Sequence, residues 1–222
     1  MNIRHELEET TVERDLGVTI NNKLKWNNHI DKSALVANNM IFKLKNSFKY
    51  WDAVSFKKLY STFVRPHLEY CTPVWNPILK KDVAKLEKVQ RRATKLVPNL
   101  RHFSYETRLA NIGITTLEER RRRGDIIQYY KLKKGYNVAK LHEHHIHQPN
   151  GPETRSKSRG QLLVKQLTKI KAREQFFSNR IASVWNELPE HVINSASLNS
   201  FKNNLDKFRK QRLGSLMTTI VE

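Results

Sequence analysis

Apolar residues recur through this chain at intervals that alternate between three and four. Ile30, Ala34, Ala37, Ile41, Leu44 and Phe48 follow that spacing and predict one apolar face of a helix, with Lys32, Lys43, Lys45 and Lys49 off the stripe. Asp52 is placed to cap a second helix, whose face is Phe56, Leu59, Tyr60, Phe63 and Val64. Ahead of both, "RDLGVTINNKLKW" sets Leu16, Val18 and Ile20 on one side of an extended segment before the turn formers Asn21 and Asn22, which predicts a strand or one arm of a hairpin. In "FVRPHLEYCTPVWNP", Pro66 and Pro73 argue against a continuous helix, so Leu68, Tyr70 and Trp75 are expected to form the core of a turn.

The stretch "KKDVAKLEKVQRRATKLV" carries two opposed stripes. Val83, Leu86, Gln90, Ala93 and Val97 trace one, and Lys81, Lys85, Lys88, Arg92 and Lys95 trace the other, with Arg91 adjoining it. One face is expected to pack and the other to meet solvent or phosphate. Pro98 predicts the end of that helix, and "SYETRLANIG" a short helix stopping at Gly113. Thr116 and Glu119 form a capping box for a helix that runs to about Gly135, its first half wrapped by Arg120, Arg121, Arg122 and Arg123. Residues 136–160, with few aliphatics, predict a loop or linker. "QLLVKQLTK" fits either a strand or the lead-in to a helix. "REQFFSNRIASVWNELP" predicts a helix with Phe177, Ile181, Val184 and Leu188 on one face, Trp185 beside it and Pro189 as terminator. Ser197 caps a last helix facing inward with Leu198, Phe201, Leu205 and Phe208. The expected fold is mainly α: a strand or hairpin (1–28), a helical bundle (29–135), a linker (136–160) and a second, carboxy-terminal helical unit (161–222).

Charge changes the picture more than composition does. The 222 residues are 38% hydrophobic, enough for a core, but 41 Lys+Arg against 21 Asp+Glu give a formal charge of +20. Such an excess opposes compaction unless a polyanion neutralises it, so nucleic acid is the expected partner. A membrane surface is the rival, but no run approaches the roughly 18 apolar residues of a spanning helix, and "MNIRHELEE" lacks a signal peptide's apolar stretch. A single cysteine forms no internal disulfide and fits a reducing compartment, nucleus or cytoplasm.

The candidate chemistry is sparse. Cys71 with His67 and Glu69 holds the residue types of a thiol nucleophile, its base and an orienting group, but the bracketing prolines and the usual burial of cysteine favour a structural role. In "HEHHIH" (142–147), Ile146 stands where the zinc-protease pattern needs its second histidine, so no metal ligand is assigned. The carboxylates are scattered, no "DD" occurs, and there is no Gly-rich phosphate loop and no G-x-S-x-G elbow, hence no catalytic residue, cofactor or small-molecule substrate is expected. What remains is cationic surface: the lysine stripe, the arginine cluster, "RSKSR" and "KFRKQR".

Five segments, "RDLGVTINNKLKWNNHI", "LYSTFVRPHLEYCTPVWNP", "LEKVQRRATKLVPNL", "YETRLANIGITTLEERRRRGDIIQYYKL" and "FFSNRIASVWNELPEHVINSASLNSFKNNLDKF", occur in the order in which similar segments close the reverse transcriptases of non-LTR retrotransposons of the jockey and chicken-repeat type. The chain resembles that region over nearly its whole length. The resemblance implies that Leu16 to Val18 end the polymerase palm, and that the rest is thumb and carboxy-terminal extension holding template RNA and primer or target DNA. The family's magnesium-binding aspartates lie upstream of this region and have no counterpart here, so polymerase activity carries over to no residue. The expectation is a non-catalytic, nucleic-acid-binding end of such an enzyme, from a truncated element copy or an incomplete gene model. The alternative is an inert or structural remnant with no activity of its own.

Overall fold

The computed structural model describes residues 9–137 and 162–218, and it is mainly helical with an amino-terminal antiparallel hairpin. Contacts divide the chain into two compact units, Met1–Arg121 and Arg122–Glu222, each with its own apolar core.

In the first unit, β1 (Val12–Asp15) pairs with β2 (Val18–Asn21), Asp15 opposite Val18. The two-residue loop Leu16–Gly17 has φ of +44° and +84°, the conformation whose twist suits a tight hairpin. The alternation over Leu16, Val18 and Ile20 is thereby corrected: Leu16 sits at the exposed tip, and the partner strand lies upstream of it. The expected turn at Asn21 and Asn22 does form. The Asn21 side chain accepts from the Lys23 N–H at 2.8 Å and leads the chain into α1 (Asn27–Ser47). Val18 enters the first core, so the hairpin belongs to this unit.

His29 on α1 docks the hairpin. Its Nδ1 accepts from the Thr19 N–H at 3.2 Å, and its ring meets Trp75 edge-on at 4.7 Å. Burial, with the nearby charges of Lys32 and Arg14, pushes its pKa down. A depressed histidine is neutral when folded, so stability is complete above its ordinary pKa and is lost as pH falls through and below that value. Thermal melts at about pH 7.5 and about pH 5.5 should therefore show the first unit weakening on acidification, and His29→Gln should flatten that dependence.

Asp52 caps α2 (Ala53–Leu59) as expected, accepting from the Val54 and Ser55 N–H groups at 2.8 and 3.0 Å. A bond from the Ser55 hydroxyl, together with these two, lowers its pKa. As the two prolines argue, no helix runs unbroken from Pro66 to Pro73, but the first proline does not make the break. Helix α2 continues through a π-helical turn (Tyr60–Val64) into α3 (Arg65–Glu69). The wider turn, with the Arg65 N–H bonded to the Tyr60 carbonyl, accommodates a proline at position 66 that has no N–H to donate. The break comes at Cys71, at φ +55°, before α4 (Thr72–Trp75). Leu68 and Trp75 are buried there, but Tyr70 is exposed and donates its hydroxyl to the Leu16 carbonyl at 2.9 Å.

The core of this unit closes around α5 (Lys80–Thr94), α6 (Tyr105–Ile112) and the start of α7 (Leu117–Lys133). Ser104 and Gly113 cap α6, and the Glu119 N–H donates to the Thr116 hydroxyl at 3.1 Å to open α7. A buried polar network ties the three helices together. Tyr60 donates to Gln90 Oε1 at 2.6 Å, and Gln90 Nε2 donates to the Tyr105 hydroxyl and the Thr115 carbonyl. Tyr105 in turn donates to Glu87, whose other oxygen accepts from the Leu117 N–H at 3.2 Å.

The second core holds Ile126, Ile127, Tyr129 and Tyr130 of α7. The unit boundary thus falls inside α7 rather than near 135, because the apolar residues of its later turns pack with the carboxy-terminal helices. Those helices are α8 (Lys171–Glu174), α9 (Phe177–Asn186), α10 (Glu190–Ile193) and α11 (Leu198–Thr218). Trp185 joins Ile181 among the fully buried side chains of α9 while Val184 is only partly buried, and Tyr130 stacks on Phe201 with ring centroids 3.9 Å apart. The segment before α8 is extended and clamped by asparagines: Asn186 bonds both the N–H and the carbonyl of Leu163, and Asn179 does the same for Gln166. Seven residues of helix and three of extended chain both span about 10 Å, which is why the two rungs match.

Candidate nucleic-acid interface

Helix α5 buries Leu86, Val89, Gln90 and Ala93, and exposes Lys81, Lys85, Lys88, Arg91, Arg92 and Lys95. The two-stripe pattern follows from helical period alone, with Lys95 just past the last helical residue. The six exposed cations do not have the same surroundings. Lys85 ion-pairs with Asp31 of α1, and Arg92 donates to Asn38 Oδ1 at 3.2 Å. Both pairs are separated by 54 residues in sequence, so α1 and α5 run parallel with a fixed offset. Arg91 lies over the Tyr105 ring, 4.0 Å from its centroid, and pairs with Glu106 at 3.8 Å. Among the described residues, Lys81, Lys88 and Lys95 make no ion pair.

The arginine cluster is not a common cationic face. Arg120 binds Glu69 through both nitrogens, one contact being 3.0 Å, and Arg65 adds a second cation to the same carboxylate at 3.8 Å. Arg121 is only 3% exposed and donates from Nε to Asn76 at 3.1 Å. Arg123 grips Asp206 at 2.6 and 2.8 Å, and these bonds hold the Asp206 carboxyl below its ordinary pKa. Arg122 alone of the four is exposed. The expectation that all four meet phosphate is corrected for Arg121, which is buried, while Arg120 and Arg123 stay partly exposed with their guanidiniums on partners 51 and 83 residues away in sequence. Those distances are why the run looked like a surface patch.

Elsewhere the candidate chemistry recedes. Burial pushes the Cys71 thiol pKa up, away from a thiolate, and Glu69 is occupied by Arg120 and Arg65. Among the described residues no three His, Cys, Asp or Glu side chains converge as metal ligands. "HEHHIH" and "RSKSR" lie outside the described residues. In "KFRKQR", Arg212 pairs with Glu187 while Lys207 and Lys210 are exposed. Among the described residues no helix is long and apolar enough to cross a membrane. The partners Asp31 and Asn38 escaped the sequence reading, although their seven-residue spacing matches that of Lys85 and Arg92.

No family model matches the chain. No solved structure matches it either. An uncharacterized protein of Caenorhabditis elegans is 28% identical over 127 residues, 54% of this chain and 63% of that protein. The chain thus matches less than two thirds of that relative's length.

Proposed function

We propose that this chain is a non-catalytic nucleic-acid-binding module, equivalent to the thumb and carboxy-terminal extension of a non-LTR retrotransposon reverse transcriptase, and that it holds RNA or DNA by the phosphate backbone. The observation that carries the reading is the row Lys81, Lys88 and Lys95. These are exposed cations on one helical stripe, without carboxylate partners among the described residues, in a chain of formal charge +20. At 1.5 Å per residue they stand about 10 Å apart along the axis, a rail that contacts a backbone without reading bases. Lys85 and Arg92 lie on the same stripe, but their bonds to α1 also support the fold.

The test is to replace Lys81, Lys88 and Lys95 together with alanine and measure binding to several unrelated oligonucleotides. Each lost phosphate contact should lower the salt slope by about 1, so affinity should fall for all sequences alike, by on the order of tenfold or more at about 0.1 M salt. The melting curve should hardly move, because the three side chains are exposed. Undiminished affinity would remove α5 from the interface.

A further inference from the structure

The face of α1 that borders α5 is not finished as a packing surface. Asp31, Leu35, Asn38 and Phe42 follow the i, i+4, i+7, i+11 spacing of one stripe. The first and third are bonded to Lys85 and Arg92, which turns the stripe toward α5. Leu35 and Phe42 nevertheless remain 60% and 64% exposed. The 54-residue offset sets Leu35 level with Val89, next in sequence to exposed Lys88, and Phe42 four residues beyond the Asn38–Arg92 bond, toward the end of α5 where Lys95 is exposed. Scattered apolar residues on a surface need no explanation. These two are one heptad apart, in step with two cations also one heptad apart.

We propose that this α1–α5 seam binds single-stranded nucleic acid, an unpaired base stacking on the Phe42 ring while Lys88 and Lys95 hold the adjoining phosphates. The inference rests on the backbone-binding reading above and adds a preference for strandedness. A duplex keeps its base faces inside the stack, whereas a single strand offers them to an aromatic ring beside a positive groove. Charge argues for this occupant over a protein. A second copy would bring the same +20, and an amphipathic helix would meet Asp31, Asn38 and the lysines where it needs a continuous apolar seam.

The experiment compares a mixed-sequence single strand with the duplex of equal length, both fluorescently labelled, by anisotropy titration on the full chain. Phe42→Leu keeps the apolar bulk and removes the ring. It should weaken single-strand binding by about 5- to 100-fold and leave duplex binding within about twofold, with the salt slope unchanged. Phe42→Trp should keep or tighten single-strand binding. Equal losses on both probes, or on neither, overturn the stacking. If the wild type binds both in a salt- and lysine-dependent way while Phe42→Leu matches it, stacking fails and the backbone reading stands. If the wild type binds neither probe, both fall.

Discussion

Asp125→Ala should destabilise the second unit by about 3–5 kcal/mol, because it removes the carboxylate that meets two nitrogens of a largely buried guanidinium. Arg180 Nε and Nη2 meet the two Asp125 oxygens at 2.8 and 3.0 Å, and the side chains are only 11% and 7% exposed. The carboxylate faces two of the guanidinium nitrogens while Nη1 donates to the Gln175 carbonyl at 3.1 Å, so removing Asp125 takes away the charge that offsets the desolvation of the arginine and costs more than the pair itself contributes. The double replacement Asp125→Leu with Arg180→Met is the control. Removing both charges with apolar bulk in their place should recover most of the loss. Urea unfolding followed by circular dichroism reads this directly, and a double variant as unstable as the single one would show that the cost is shape, not charge.

Trp75→Ala should cost the first unit about 3–5 kcal/mol, the range for emptying a fully buried indole site. Trp75 has no exposed surface, donates from Nε1 to the Tyr70 carbonyl at 2.6 Å, and supports His29, which in turn holds the hairpin. Trp75→Phe separates packing from hydrogen bonding: it keeps most of the volume and loses one donor, so a cost of about 1–2 kcal/mol is expected. Both variants should lower the melting temperature, the alanine far more. Because the indole ties the break at Cys71 to α1, protection of the Thr19 amide from hydrogen exchange should fall with it.

The parts of this fold legible in sequence were those that act within a few residues. Asp52, Gly113, Thr116 and Ser197 stand at helix ends because caps are local chemistry. The apolar stripe of α1 emerged for the same reason, its buried residues repeating with the helical period. Partners far apart in sequence were not legible. The arginine run at 120–123 has the composition of a phosphate site, and only the positions of Glu69, Asn76 and Asp206 make three of its members cross-links. Gln90 belongs to the buried stripe for a reason periodicity does not contain, namely its bonds to Tyr60, Tyr105 and Thr115. Pro66 and Pro73 argue for a break between them, and it falls at Cys71; its exact place was not legible, because the π turn upstream accommodates Pro66 within the helix. In the candidate interface the lysine stripe was visible in advance, but which of its cations are committed to α1 was decided by Asp31 and Asn38.

That division of labour along α5 makes the salt dependence of binding the most direct measurement. For the wild-type chain, log affinity for RNA or DNA should fall linearly with log salt concentration, and for the Lys81, Lys88, Lys95 triple alanine variant the slope should be shallower by about 2–3. A wild-type affinity indifferent to salt, or a triple variant with the wild-type slope, would contradict the account.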